Sequence, residues 1–151
     1  MTTRKLDQLY RSVIMDHNKN PRNKGTLPDG NVTVDLNNPT CGDQIHLHLK
    51  IENDKITAAA FTGDGCSISM ASASMMTQAV KGKSEQEALQ MAKEFSEMVQ
   101  GHEHGQIDEA GEVEALSGVA KFPARIKCAT LAWKAMERAI LEKASKDEGG
   151  L

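Results

Sequence analysis

Three cysteines, Cys41, Cys66 and Cys128, are the residues of this 151-residue chain whose chemistry asks for an explanation. Cys41 lies in Asn38-Pro39-Thr40-Cys41-Gly42-Asp43. Pro39 and Gly42 shape a tight turn in which residues 41 and 43 can point to the same side. A thiolate and a carboxylate that close repel each other unless a cation sits between them. Cys-x-Asp therefore reads either as a pair of metal ligands or as a turn with an incidental buried cysteine. Cys66 follows Gly63-Asp64-Gly65 and precedes Ser67-Ile68-Ser69. Glycines ahead of a helix start let the backbone approach a ligand closely. A cysteine at a helix N-terminus has its thiolate stabilised by unpaired N–H groups. The same pattern suits a plain structural cysteine, and its spacing fits no P-loop. Cys128 follows Arg125-Ile126-Lys127. Positions 125 and 128 are one helical turn apart, so Arg125 can support a thiolate at 128; an apolar-facing core cysteine is the alternative.

Taken together, three thiols and the Asp43 carboxylate supply the four ligands usual for tetrahedral zinc. Thiolates select zinc, Cu(I) or iron–sulfur clusters over harder metals. An odd number of cysteines with no close pair makes neither a closed disulfide framework nor a zinc ribbon. With ligands drawn from three distant points of the chain and one exchangeable oxygen among them, such a site is open to exchange.

The elements that must position these residues follow from hydrophobic spacing. Leu6, Leu9, Tyr10, Val13, Ile14 and His17 predict a helix over 4–19, stopped by Asn20-Pro21. Three short strands follow, Val32–Leu36, Ile45–Ile51 and Lys55–Phe61, with Asn53-Asp54 as a hairpin turn. Residues 67–80, rich in Ala, Ser and Met, predict a helix ending near Gly82. Ser84-x-x-Glu87 is a capping box opening a helix with the stripe Ala88, Met91, Ala92, Phe95, Met98 and Val99. Gln100–Glu114 reads as an acidic loop with a short helix at its end. The last helix is expected to begin at Pro123, to run to about Lys143 with Ile126, Leu131, Met136 and Ile140 inward, and to fray over Ser145–Leu151. The expected fold class is α+β, a three-stranded antiparallel sheet with helices packed on one face, in a single domain over 1–151. A core of this size buries roughly 68–70% of the unfolded surface and needs no staples.

Eighteen basic against 21 acidic residues give a net charge of −3. That balance speaks against a nucleic-acid surface, and five aromatic residues leave little for base stacking. No apolar run approaches ~18 residues, so neither a signal peptide nor a membrane span is expected. A reducing cytoplasm is the expected location.

The three cysteine motifs, in this order, resemble those of the IscU-like (NifU N-terminal type) iron–sulfur cluster assembly proteins. Leu9-Tyr10-Arg11-Ser12-Val13-Ile14-Met15-Asp16-His17 with Asn20-Pro21-Arg22-Asn23 is similar to the opening of that family. Two departures point to a branch. Scaffold-type members carry a His directly before the third cysteine, inside a Leu-Pro-Pro-Val-Lys motif read by a chaperone. Here Lys127 and Phe122-Pro123-Ala124-Arg125-Ile126 stand instead, and an extra segment lies around 100–117. Both resemble the SufU branch.

This resemblance implies a SufE/IscU-like fold and a zinc protein that accepts persulfide sulfur from a SufS-type cysteine desulfurase and feeds the SUF assembly machinery. By motif it implies Cys41, Asp43, Cys66 and Cys128 as zinc ligands, Cys41 as sulfur acceptor and Arg125 as charge support. Two alternatives remain: a scaffold assembling a [2Fe–2S] cluster or holding iron on the same thiols, and a binding module with purely structural zinc. The other candidates read blandly. His46 and His48 belong to the polar face of a strand and are expected to be solvent-exposed. His17 reads as a hydrogen-bonded boundary residue, and His102-x-His104 as a loop pair that only looks metal-binding. Met70, Met75 and Met76 read as core.

Overall fold

The computed structural model describes residues 3–39, 42–102, 107 and 113–149. The chain opens with α1 (Thr3–Lys19), followed by the strands β1 (Val32–Asn38), β2 (Asp43–Glu52) and β3 (Lys55–Asp64). Helices α2 (Ser67–Val80) and α3 (Glu85–Val99) come next. After them are a 3-10 segment, Val113–Lys121, a 3-10 turn, Pro123–Arg125, and α4 (Ile126–Gly149).

The strands form an antiparallel meander in the order β1-β2-β3. Asn53 and Asp54 turn β2 into β3 with φ of 51° and 63°. Left-handed values at both central residues are what a two-residue type I′ hairpin needs, and Asn and Asp tolerate them. Along β2, Ile45, Leu47, Leu49 and Ile51 are buried while their neighbours alternate outward. The helices cover this inner face, with α4 against β1 and β2 and α2 against β3. This is the expected α+β architecture.

All three strands run further than their apolar residues predict. The β1–β2 ladder continues to Asn38 opposite Asp43, and the β2–β3 ladder to Gln44 opposite Asp64. Pairing across the sheet carries polar residues that propensity alone would leave in loops. The extension has a direct consequence, because alternation then turns Asp43 to the inner face in line with Ile45. It is the first inward position of β2, where a carboxylate replaces an aliphatic side chain.

Helix α2 is buried almost all round: every residue from Ala71 to Thr77 is buried. Its Ala and Ser side chains let α1 and α4 approach closely. His17 Nδ1 is 2.7 Å from Ser74 Oγ, so His17 is fully buried rather than a boundary residue, though hydrogen-bonded as expected. On the other side Ser72 Oγ donates to the Ala129 carbonyl (2.6 Å) and accepts from Trp133 Nε1 (3.2 Å). The Trp133 ring stacks on Phe95 of α3, centroids 4.5 Å apart. Helix α3 opens with the expected capping box, Ser84 and Glu87 each bonding the other's backbone N–H, and its predicted stripe is buried throughout. Met75 and Met76 are core and Met70 is half-buried against it.

Four further expectations need correction. Pro123 starts a 3-10 turn, and the α-helix begins only at Ile126. The helix does not stop near Lys143 but continues to Gly149, since nothing between them breaks a helix. After α3 the described residues include a nine-residue 3-10 helix over Val113–Lys121, most of it beyond the expected short helix, packed on α1 and α3. Most of Gln100–Glu114, His104 included, lies outside the described residues. Finally, His46 and His48 do face outward but are not simply solvated. His46 Nδ1 pairs with Asp35 Oδ1 at 2.6 Å and His48 Nδ1 lies 3.2 Å from Thr33 Oγ1, both partners being on β1.

Candidate metal centre

Ligating atoms of Asp43, Cys66 and Cys128 all lie within 4.8 Å of one another. Each comes from the first residues of a different element. Asp43 opens β2, Cys66 is the N-cap of α2 (φ −68°, ψ 165°), and Cys128 is in the first turn of α4. The sheet end and two helix N-termini thus meet at one point, and both helix termini present their positive ends to anionic groups.

Asp43 is fully buried and its two oxygens are used differently. Oδ1 accepts the backbone N–H of Cys66 at 2.8 Å, whereas Oδ2 is buried with no hydrogen-bond partner. The close approach depends on Gly65: a Cβ there would lie 2.5 Å from Asp43 Oδ1. The thiols are also held. Cys66 Sγ accepts the N–H of Ser69 (3.4 Å), which closes the helix cap through sulfur. Cys128 is fully buried, and Asn38 Nδ2 donates to its Sγ at 3.9 Å.

A tetrahedral zinc with these donors would hold its ligand atoms roughly 3.3–3.8 Å apart, given typical Zn–S and Zn–O bond lengths. The observed spread is close to that, and small rotamer changes would close it. The orphaned Oδ2 of Asp43 is the further sign of fit, because buried polar atoms are nearly always satisfied. Two soft sulfurs and one oxygen match zinc or an iron–sulfur cluster. Cys41 lies outside the described residues.

Beside the centre stands a wall that sequence reasoning missed. Tyr10 of α1 stacks on Phe122, with centroids 6.5 Å apart and planes 17° from parallel. Burial, and then the neighbouring Cys66, push the Tyr10 phenol above its ordinary range, while the Arg125 guanidinium opposes the rise. The phenol therefore stays protonated beside the thiol. Arg125 is exposed at the end of the 3-10 turn, and its charge reaches the same ring that Cys66 reaches. A Cβ at Gly118 would meet the Tyr10 ring at 3.0 Å, so a small residue there lets the ring seat. Tyr10 falls on the apolar stripe of α1, which is why periodicity assigned it to the core. Asn38 and Ser69 were likewise hidden inside motifs noted for their cysteines.

The chain is similar to known proteins over most of its length. The NifU-like N-terminal domain family matches residues 9–129. The zinc-dependent sulfurtransferase SufU of Bacillus subtilis is 61% identical over 145 residues, covering 96% of this chain and 95% of that protein. The iron–sulfur cluster assembly scaffold protein IscU of Streptococcus pyogenes is 57% identical over 145 residues, 96% and 91% of the two chains. Among solved structures, a candidate iron–sulfur cluster assembly scaffold of the SUF system from Fervidobacterium islandicum superposes with a TM-score of 0.80 at 35% identity, over 88% of this chain and 97% of that one. The N-terminal part of a NifU-like protein from Brucella abortus gives 0.84 at 20% identity, over 93% and 97%, a likeness of fold.

Proposed function

Because the chain belongs to the NifU-like N-terminal domain family, we propose that it is a zinc-dependent sulfur-transfer protein of iron–sulfur cluster biogenesis. In this reading the whole chain, 1–151, is one domain that takes persulfide sulfur from a SufS-type cysteine desulfurase in a reducing compartment. The observation that carries the reading is the convergence of Asp43, Cys66 and Cys128 with a buried, unpartnered carboxylate oxygen between elements. The 61% identity to a zinc-dependent sulfurtransferase supports it. No helix among the described residues is long and apolar enough to cross a membrane.

Asp43, Cys66 and Cys128 would hold the zinc, with Cys41 as the fourth ligand and sulfur acceptor. Bound zinc supplies deprotonated thiolates whose reactivity is restrained. The protein's own groups do the rest. The Cys66 amide fixes Asp43 through Oδ1, and the Ser69 amide fixes the Cys66 sulfur. The neutral Tyr10 phenol lies near Cys66 and within reach of the Arg125 charge, which would favour an incoming anionic persulfide. In the transfer step the Cys41 thiolate attacks the partner's outer sulfur. A bond from Cys41 Sγ to that sulfur forms as the partner's S–S bond breaks. The electron pair leaves with the partner's thiolate, and no oxidant is consumed.

Persulfide labelling with a desulfurase and cysteine, with and without zinc, tests this. Sulfur should appear on the wild-type chain, and Cys41→Ala should abolish both labelling and the stimulation of desulfurase turnover. Full stimulation by Cys41→Ala would overturn the acceptor role. The scaffold reading, favoured by the name of the Streptococcus relative, predicts a stable transferable cluster after anaerobic purification instead of one tightly held zinc without iron.

A further inference from the structure

Three buried side-chain atoms among the described residues have no hydrogen-bond partner: Asp43 Oδ2, Ser69 Oγ and His48 Nε2. His48 is on the outer face of the sheet, but the other two belong to the metal centre. Under the proposed function Asp43 Oδ2 has an occupant. Ser69 Oγ does not, and a buried hydroxyl without a partner is costly enough to need a reason.

Its place in the helix pair supplies one. Ser69 is fully buried in the first turn of α2, and its own N–H is donated to Cys66 Sγ. Ser72, one turn further along the same face, bonds the Ala129 carbonyl of α4. One turn before Ser69, Cys66 lies against Cys128 of α4. Ser69 is thus bracketed by two α2–α4 contacts and faces the turn of α4 that carries Cys128. The other buried hydroxyls described in these helices have partners: Ser72 bonds the Ala129 carbonyl and Ser74 meets His17, while Thr77 donates to the Ser74 carbonyl at 2.8 Å and Thr130 to that of Ile126 at 3.0 Å. Ser69 has none, so its donor is left available. A neutral thiol is a poor acceptor, whereas a thiolate is a good one.

We propose that Ser69 is a positioning residue of the loaded centre, its hydroxyl donating a hydrogen bond to the metal-bound thiolate of Cys128. Together with Asn38 Nδ2, which already points a donor at that sulfur, it would spread the charge of an anionic thiolate-rich site and fix the orientation of its innermost ligand. This inference rests on the proposed metal site and adds a residue to it.

The test uses the full chain, Ser69→Ala and Ser69→Thr, each metal-free, zinc-loaded and cobalt-loaded. A hydroxyl that is orphaned without metal and bonded with it predicts opposite effects in the two states. Ser69→Ala should keep or raise the Tm of the metal-free protein yet weaken zinc binding by roughly 10–100-fold. In the cobalt form the sulfur-to-metal charge-transfer band should move to lower energy, because the thiolate loses a donor. Ser69→Thr, which keeps the hydroxyl, should bring band and affinity back. A Ser69→Ala protein with wild-type zinc affinity and cobalt spectrum would overturn the proposal, as would a folded Ser69→Thr protein that behaves like Ser69→Ala. If the wild-type chain binds neither zinc nor cobalt, the metal-site reading itself fails and takes the inference with it. If the wild-type centre forms normally, only the role of Ser69 is at stake.

Discussion

Asp43 divides its oxygens between the fold and the site, with Oδ1 on the Cys66 amide and Oδ2 turned inward without a partner. Such a carboxylate is oriented before any metal arrives, so little ordering cost is left for binding. Its neighbour Gly65 leaves the room. Gly65→Ala places a methyl group against Oδ1 and is expected to destabilise the chain by about 1–3 kcal/mol, the usual cost of overpacking. It should also weaken zinc binding, since Oδ1 and Oδ2 move together. Chemical denaturation and a zinc competition titration measure the two effects, and a Gly65→Ala protein unchanged in both would show that Asp43 is not held this way. At this scale the sequence spoke through residue types. Each cysteine alone has a bland use, but three thiols with a Cys-x-Asp carboxylate, in motifs of this order, let Asp43, Cys66 and Cys128 be picked out. Tyr10, Asn38 and Ser69 have many, and only tertiary contact distinguishes them from core or turn residues.

Among the elements, α2 and α4 bring helix N-termini to the site, and the extension of β1 and β2 brings the carboxylate. The helices were legible because their stripes repeat over several turns and a capping box marks the start of α3. The strand ends were not, because Asn37, Asn38, Asp43 and Gln44 have poor strand propensity and are held by cross-strand pairing. The 3-10 segment over Val113–Lys121 was missed for a related reason: its order comes from packing on α1 and α3. Helix α4 also carries a small defect. Burial raises the Glu137 carboxyl above its ordinary value, with Lys134 only partly opposing it. A raised folded-state pKa means the native state binds the proton more tightly than the unfolded chain does. Ionisation of Glu137 therefore costs stability, which falls as pH rises from about 4.5, the unfolded value, through the folded one. Glu137→Gln should raise Tm at neutral pH and have less effect below pH ~4. Thermal melts of both proteins across that range check the sign.

For the molecule as a whole, a zinc held as proposed by Asp43, Cys66 and Cys128 would tie together parts that are far apart in the chain. The proposed ligand set, drawn from β2, α2 and α4, would link zinc binding to folding, because the unfolded chain presents no such constellation. Chelation is expected to lower Tm. Titrating zinc back should add about 1.4 kcal/mol of stability for each tenfold rise in free zinc above the Kd. A Tm insensitive to zinc would mean that the three ligands are not bridged.

The α2–α4 junction also gives the protein an optical reporter. Trp133 is the only tryptophan, fully buried, with its indole N–H on Ser72 and Ser72 in turn on the carbonyl beside Cys128. Its fluorescence therefore comes from a single place, two hydrogen bonds from the residue beside Cys128. Removing zinc should change the intensity or wavelength of that emission before the chain unfolds. Loading of the proposed centre can then be followed in real time on the unlabelled protein, by light its own core emits.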